Sequence, residues 1–278
     1  MKIPPYWVRE KRVVHGRELK LFGASFESME AAQESLAERA RLWDVYLAQP
    51  SVSPAVLADF TAALRALAAL PGEDTYSAAV LEPVIAAPDE QNLVTRNRYG
   101  ALVLNSTSLC FVDVDDFRGG GLLRFLGLGK KPEQLLLEAV EKQCRQDETL
   151  SARVYRTAHG WRVALQGQGL SLGSAREAQL FRALQADPLY VNLCRKQACW
   201  RARLSPKPFH MGLSRFPLLT DSAQAPQQMA AWVAQYEART AQYAVCRLLD
   251  SFGPAWRSPI LELHDSYTRA LTPDLPLA

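Results

Sequence analysis

Apolar positions in the first third of the chain recur with helical spacing. Ser28 stands as an N-cap before a pattern from about Met29 to Leu47, with Glu30 in the first turn where it suits the helix dipole. A second pattern runs from about Pro54 to Leu70 and closes at Pro71-Gly72. Ahead of both, Leu19-Lys-Leu-Phe22 reads as a strand after a short polar opening. From Leu93 the period shortens to two. Leu93 to Asn105 reads as a strand interrupted at Tyr99-Gly100, and after the polar turn Ser106-Thr-Ser108 comes Leu109-Cys-Phe-Val-Asp-Val-Asp115; the two runs suggest a hairpin. A glycine-rich loop from Gly119 to Lys131 then leads into a helix that opens on Pro132 and reaches about Arg145.

The same alternation continues downstream. Ala152 to Thr157, the turn Ala158-His-Gly160 and Trp161 to Leu165 predict a second hairpin. Helix returns from about Ser174 to Gln185, a connection containing Pro188 follows, and Trp200-Arg-Ala-Arg-Leu204 supplies a strand ended by Pro206 and Pro208. Two long helical patterns, about Pro226 to Phe252 and Pro259 to Leu271, end the chain. Counted from Leu109 the order is βαββαβ, which predicts an α+β, ferredoxin-like (RRM-like) core over residues 93–215. A mostly helical region (1–92) precedes it and a helical region (216–278) follows. In such a core both helices cover one sheet face, and the other face stays open.

Alternation also divides the side chains between the two faces. One set is apolar: Cys110, Val112 and Val114; Ala152 and Val154; Trp161, Val163 and Leu165; Trp200, Ala202 and Leu204. If these lie under the helices, Asp113, Asp115, Arg153, Tyr155, Arg162, Arg201 and Arg203 share the open face with Phe111.

Composition sharpens this picture in one respect. The 278 residues are 48% hydrophobic and 22% charged with a net charge of +3, which excludes disordered and collagen-like classes and by itself points to no partner. Residues 151–215, however, hold eleven Arg or Lys against Glu177 and Asp187 alone, so the basic charge is concentrated on the last three strands of the predicted sheet. No run of eighteen apolar residues occurs and MKIPPYWVRE lacks the apolar core of a signal peptide, so a cytoplasmic protein with no membrane association is expected. The five cysteines are scattered without a CxxC pair and read as core residues.

Two carboxylates at i and i+2 on a strand point the same way, close enough to bind one hard divalent cation or flank two. Asp113 and Asp115 therefore form a candidate Mg²⁺ or Mn²⁺ site. Arginines on neighbouring strands either neutralise them as ion pairs or hold a phosphate beside the metal, as phosphoryl and nucleotidyl transfer require. The glycine-rich loop could bring Lys130-Lys131 to phosphate, although its spacing is not that of a Walker loop. His159, at a hairpin tip, gains interest if the tip lies near the Asp113 strand. His210 and the pair His264-Asp265 have no motif context and read as packing or surface residues, and the roles of Arg96 and Arg98 stay open.

Phe111-Val-Asp-Val-Asp115 and Arg156-Thr-Ala-His-Gly160 together resemble motifs of the archaeo-eukaryotic primase superfamily. The first resembles the apolar strand ending in DxD that supplies metal ligands, the second the small-residue-x-His element whose His meets the incoming nucleotide. The resemblance covers about Leu102 to Lys207. It implies metal-dependent nucleotidyl transfer, with Asp113, Asp115 and His159 in catalytic roles. Arg153, Tyr155, Arg162, Arg201, Arg203 and Lys207 would be ligand-binding, and the partner a nucleotide or nucleic acid. The superfamily's third motif, an apolar residue followed by Asp on a late strand, is absent: that strand reads Ala202-Arg203-Leu204-Ser205. The competing expectation is a non-catalytic module that binds single-stranded nucleic acid across the open sheet through Phe111, Tyr155 and the arginines, or that docks an acidic partner.

Overall fold

A computed structural model describes residues 1, 3–49, 53–68, 82–117, 130–214 and 225–278. The break expected at Pro71-Gly72 and most of the glycine-rich loop lie outside the described residues. The chain divides into two compact units, one holding residues 2–83 and the other residues 84–216 and 227–278.

The N-terminal unit begins with a hairpin rather than a polar opening. Strands β1 (Tyr6–Val14) and β2 (Arg17–Ser25) pair antiparallel around His15-Gly16, both with positive φ, as a two-residue turn of matching twist demands. The first strand, YWVREKRVV, has no clean apolar face, and most of it is half-buried on both sides, which hides it from a reading by alternation. Helix α1 (Met29–Leu47) starts where expected, with Ser28 Oγ accepting from the amide of Ala31, and α2 (Pro54–Ala68) follows. Arg39 of α1 donates to the Phe22 carbonyl at 2.8 Å and lies over the Phe22 ring, tying α1 to β2.

The second unit contains two four-stranded antiparallel sheets. Strands β3 (Val84–Asp89), β4 (Asn92–Arg96), β5 (Leu102–Ser106) and β9 (Trp200–Arg203) form one, in the order β3-β4-β5-β9. Strands β6 (Cys110–Val114), β7 (Ser151–Thr157), β8 (Trp161–Gln166) and β10 (Cys246–Phe252) form the other, in the order β10-β7-β8-β6. The expected hairpin between the Leu93 and Leu109 runs does not form. The turn at Tyr99-Gly100 pairs β4 with β5, and β6 crosses into the other sheet.

Three strands of the predicted core, β6, β8 and β7, are hydrogen-bonded in that order, but the last, β9, joins β5 instead. The cause lies at the free edge of β6. Its outward carbonyls are occupied: the amide of Asp187 donates to Asp113 O at 2.9 Å and Tyr190 Oη to Phe111 O at 3.0 Å. Asp187 caps, and Tyr190 belongs to, an unpredicted helix. What reads as one helix from Ser174 and a Pro188 connection is two helices, α4 (Ala175–Ala183) and α5 (Pro188–Gln197), with Asp187 capping the second and Pro188 at its first position. Tyr190 also receives the amide of Arg201, so it stands between β6 and β9 where a strand ladder would otherwise run.

Helix α3 (Pro132–Gln146) buries Leu136, Val140 and Cys144, and Trp161 Nε1 on the apolar face of the β6–β8 sheet donates to Glu133 in its first turn. The C-terminal segment is not purely helical. Helix α6 (Ala225–Thr240) ends twelve residues earlier than its pattern suggests, β10 adds to the edge of β7, and α7 (Pro259–Thr268) follows. No helix among the described residues is long and apolar enough to cross a membrane.

Candidate functional site

The sheet face expected to be open is covered by α7. Helix α7 buries Ile260, Leu261, His264, Asp265 and Thr268, so three polar residues sit on its packed side. Asp265 accepts from Arg153, from Tyr155 Oη at 2.7 Å and from His264 Nδ1 at 2.9 Å. The His264 ring lies 5.0 Å from that of Phe111 and 5.1 Å from that of Tyr155. Phe111 and Tyr155 are completely buried and offer no surface on which a base could stack. The single-stranded nucleic-acid surface expected on this face is therefore occupied by the protein itself. Burial and Asp265 raise the Tyr155 phenol far above its usual range. Burial lowers the His264 pKa against the opposing hydrogen bond to Asp265.

Arg162 is also buried, but it reaches the edge of the covered face. It stands opposite Asp113 in the β6–β8 register, Nε donating to Asp113 Oδ1 at 3.0 Å and Nη1 to the Arg203 carbonyl at 2.9 Å. Burial alone would weaken its charge; Asp113 more than compensates, and its pKa is raised. Arg201 is buried against Gln197 of α5 at 2.8 Å, apart from this pair. Of the ligand-binding set read from the sequence, Arg153, Tyr155 and Arg201 are thus held in internal contacts.

The remaining residues converge. Asp113 and Asp115 sit at the end of β6, His159 at the tip between β7 and β8, and Arg203 and Lys207 at the end of β9 and just after it. A 3₁₀ turn (Pro208–Met211) adds His210, whose ring centroid is 5.2 Å from that of His159. The hairpin tip is pressed onto the acidic strand: a Cβ on Gly160 would lie 2.3 Å from Val114 O and 3.0 Å from Asp115 Cα, so only glycine permits this approach.

The charges in this cluster feel one another. The Asp115 carboxyl is pushed up by desolvation and by Asp187 and Asp113, against the opposing pull of Lys207 and His159. The Lys207 ammonium is pushed down by burial and by Arg203, and His210 by burial, Lys207, His159 and Arg203. Burial and Arg162 also lower Arg203, whose Nε is sealed from solvent without a hydrogen-bond partner. The nearby Asp187 carboxylate accepts the amides of Leu189 and Tyr190 and is committed to capping α5. Beyond the cluster, Arg96 is buried, donating to Gly100 O and facing Glu237, whereas Arg98 stacks on Tyr99. Lys130 pairs with Glu138 at 2.5 Å and Lys131 precedes α3, which ties both to the helix.

These residues set limits on a divalent cation. Among the described residues no group of three or more His, Cys, Asp or Glu side chains is placed to hold a metal. Asp113 and Asp115 are two donors, one already sharing an oxygen with Arg162. That suits an ion such as Mg²⁺, which keeps several waters and is held by one or two carboxylates together with a substrate phosphate. It does not suit an all-protein metal cage. Arg162, Arg203 and Lys207 stand near the carboxylates Asp113, Asp115 and Asp187, so positive and negative side chains are matched in number in the cluster. A divalent cation offsets part of a phosphate's charge, so each would ease the other's entry into such a site.

Reading His264-Asp265 as packing residues fits their burial, but it does not foresee their contacts with Arg153, Tyr155 and Arg162, nor His210 beside His159, nor Asp187 against β6. His264 and Asp265 carry a usable signal, since they share the i, i+4 positions of α7 with Ile260, Leu261 and Thr268. Comparisons with protein-family models, curated proteins and solved structures return no match.

Proposed function

We propose that the chain binds a nucleotide, or the phosphate-bearing end of a nucleic acid, in the cluster at the end of β6, and transfers its phosphoryl or nucleotidyl group with a divalent cation. The observation that carries this reading is the meeting of Asp113 and Asp115 with His159, Lys207 and His210, which come from three separate parts of the chain. It is supported by the resemblance of the Asp113 and His159 segments to primase motifs and by the antiparallel order β6-β8-β7, which places the β7–β8 tip beside the end of β6.

Asp113 and Asp115 would hold Mg²⁺ or Mn²⁺, which when bound neutralises phosphate charge and polarises the phosphorus centre. Lys207 and Arg203 provide positive charge where negative charge develops. His159, exposed beside Asp115, is placed to meet the ligand's phosphates or sugar. Arg162 restrains Asp113. With Arg203 in place of a third acid and Asp187 engaged in capping, the arrangement favours one cation over two.

The test is a transfer assay with Mn²⁺, labelled nucleoside triphosphates and a DNA template, comparing the wild type with Asp115→Asn. Product from the wild type and none from Asp115→Asn is expected. Equal product from both would refute the assignment of the site.

A further inference from the structure

The covered sheet face is linked to the cluster at the end of β6 by a line of hydrogen-bonding groups. Asp265 and His264 of α7 are 4% and 0% exposed and Arg162 is 2%, whereas the Asp113 side chain is 34% exposed. The line runs from Asp265 to His264 Nδ1 at 2.9 Å, from His264 Nε2 to Arg162 Nη1 at 3.4 Å, and from Arg162 Nε to Asp113 Oδ1 at 3.0 Å. With Nδ1–H donating to Asp265, a neutral imidazole leaves Nε2 as an acceptor for the guanidinium. Arg153 and Tyr155 complete the shell around Asp265, which fixes the far end.

We propose that α7 is a positioning element for the site, its Asp265-His264 pair holding Arg162 and Arg162 in turn holding the Asp113 carboxylate in place for its ligand. The inference rests on Asp113 being a ligand-binding group. Stability alone is a poor reason for such a network, because buried ion pairs are often replaceable by well-packed apolar side chains without loss. Outer groups that orient a metal-binding residue, by contrast, commonly change affinity by about 10–100-fold when removed. The guanidinium has two other restraints, Asp113 itself and the Arg203 carbonyl. His264 is the contact that ties it to α7, on the side away from the ligand.

Two variants separate positioning from support. His264→Met removes both ring nitrogens while filling the space; His264→Gln keeps one donor and one acceptor. Mn²⁺ binding in the presence of ATP, read by calorimetry, is expected to weaken about tenfold or more in His264→Met and to recover in His264→Gln, with both proteins folded by circular dichroism. A folded His264→Met with wild-type affinity would overturn the proposal.

A readout independent of any ligand keeps the question separate from the proposed activity. The Arg162 Nε–H resonance in a ¹⁵N–¹H spectrum should be protected in the wild type, exchange-broadened in His264→Met and restored in His264→Gln. An unchanged resonance in His264→Met overturns the proposal even if the wild type binds Mn²⁺ and ATP. Failure of the wild type to bind them sinks the proposed function instead. Should His264→Met not fold, the wild-type imidazole decides: an Nδ1–H tautomer supports the line of contacts, and an Nε2–H tautomer breaks it.

Discussion

Arg162 and Asp113 face each other across the β6–β8 ladder, Nε to Oδ1 at 3.0 Å, with the guanidinium buried and the carboxylate at the surface. The pair joins the covered interior of the sheet to the cluster at its end. Removing one partner strands the other. Asp113→Leu, which leaves the buried Arg162 guanidinium uncompensated, is therefore expected to cost about 3–5 kcal/mol in chemical denaturation, the range for breaking a buried pair from one side. Arg162→Met combined with Asp113→Leu should recover much of that loss, because no uncompensated charge remains.

Asp115 behaves in the opposite way. Its folded pKa is raised by desolvation and by Asp187 and Asp113, so its ionised form opposes folding. The stabilisation it contributes is present below its ordinary pKa of 3.8 and is lost as pH rises through the higher folded value. At neutral pH Asp115→Asn should leave stability unchanged or slightly raised, within about 0.5 kcal/mol as for most surface changes. Thermal melts at pH 7.5 check this; a clear loss of stability would mean that Asp115 supports the fold.

His264 makes the protein sensitive to acid. Its folded pKa is lowered by burial, so its contribution is present above the ordinary value of 6.5 and declines as pH falls below it, when the unfolded chain takes up a proton that the folded chain resists. His210 shifts the same way from a more exposed position, and Asp265, held low by His264, Tyr155 and Arg153 despite burial, adds a further loss only below about its ordinary 3.8. Melting temperature should fall between pH 7 and pH 5, and His264→Gln should flatten that slope. An equal slope in both proteins would assign the titration elsewhere.

Gly160 is the contact that brings the His159 tip against β6. Gly160→Ala places a Cβ against backbone atoms of Val114 and Asp115, which cannot rotate away. Overpacking of this kind costs about 1–3 kcal/mol. The tip should lift, separating His159 from Asp115, so Mn²⁺ binding with ATP should weaken along with stability. Weaker folding with unchanged ligand affinity would show that the tip does not serve the site.

Local periodicity made part of this structure legible. The helix from Met29 to Leu47, the strands β6, β7 and β8 and their two-face division, and the placing of Asp113 and Asp115 at a strand end all follow from side-chain alternation and capping. What escaped depends on partners remote in the chain. Nothing local to Trp200–Arg203 says that Tyr190 and Asp187 occupy the β6 edge, so its alternation predicts a strand of the same sheet as β6, whereas β9 pairs with β5. Cys246–Phe252 carries a mixed pattern that becomes a strand by pairing with β7. The arginines of alternate strand positions were legible as a set. Their division was not: Arg153 and Arg162 meet α7 and Asp113, while Arg203 and Lys207 stay with the cluster, because α7 supplies the buried carboxylate more than a hundred residues away.

The proposed function makes cation and phosphate binding at this cluster mutually dependent, since each offsets charge of the other, and reciprocity requires each to raise the other's affinity by the same factor. The most direct measurement is the affinity for Mn²⁺ with and without ATP, and for ATP with and without Mn²⁺, in the wild type, Asp115→Asn and Lys207→Ala. Tight binding only when both are present, with one shared coupling factor that Asp115→Asn and Lys207→Ala each abolish, is expected. Binding of neither up to millimolar concentrations, or binding that both substitutions leave intact, would contradict a phosphate and metal site at the end of β6.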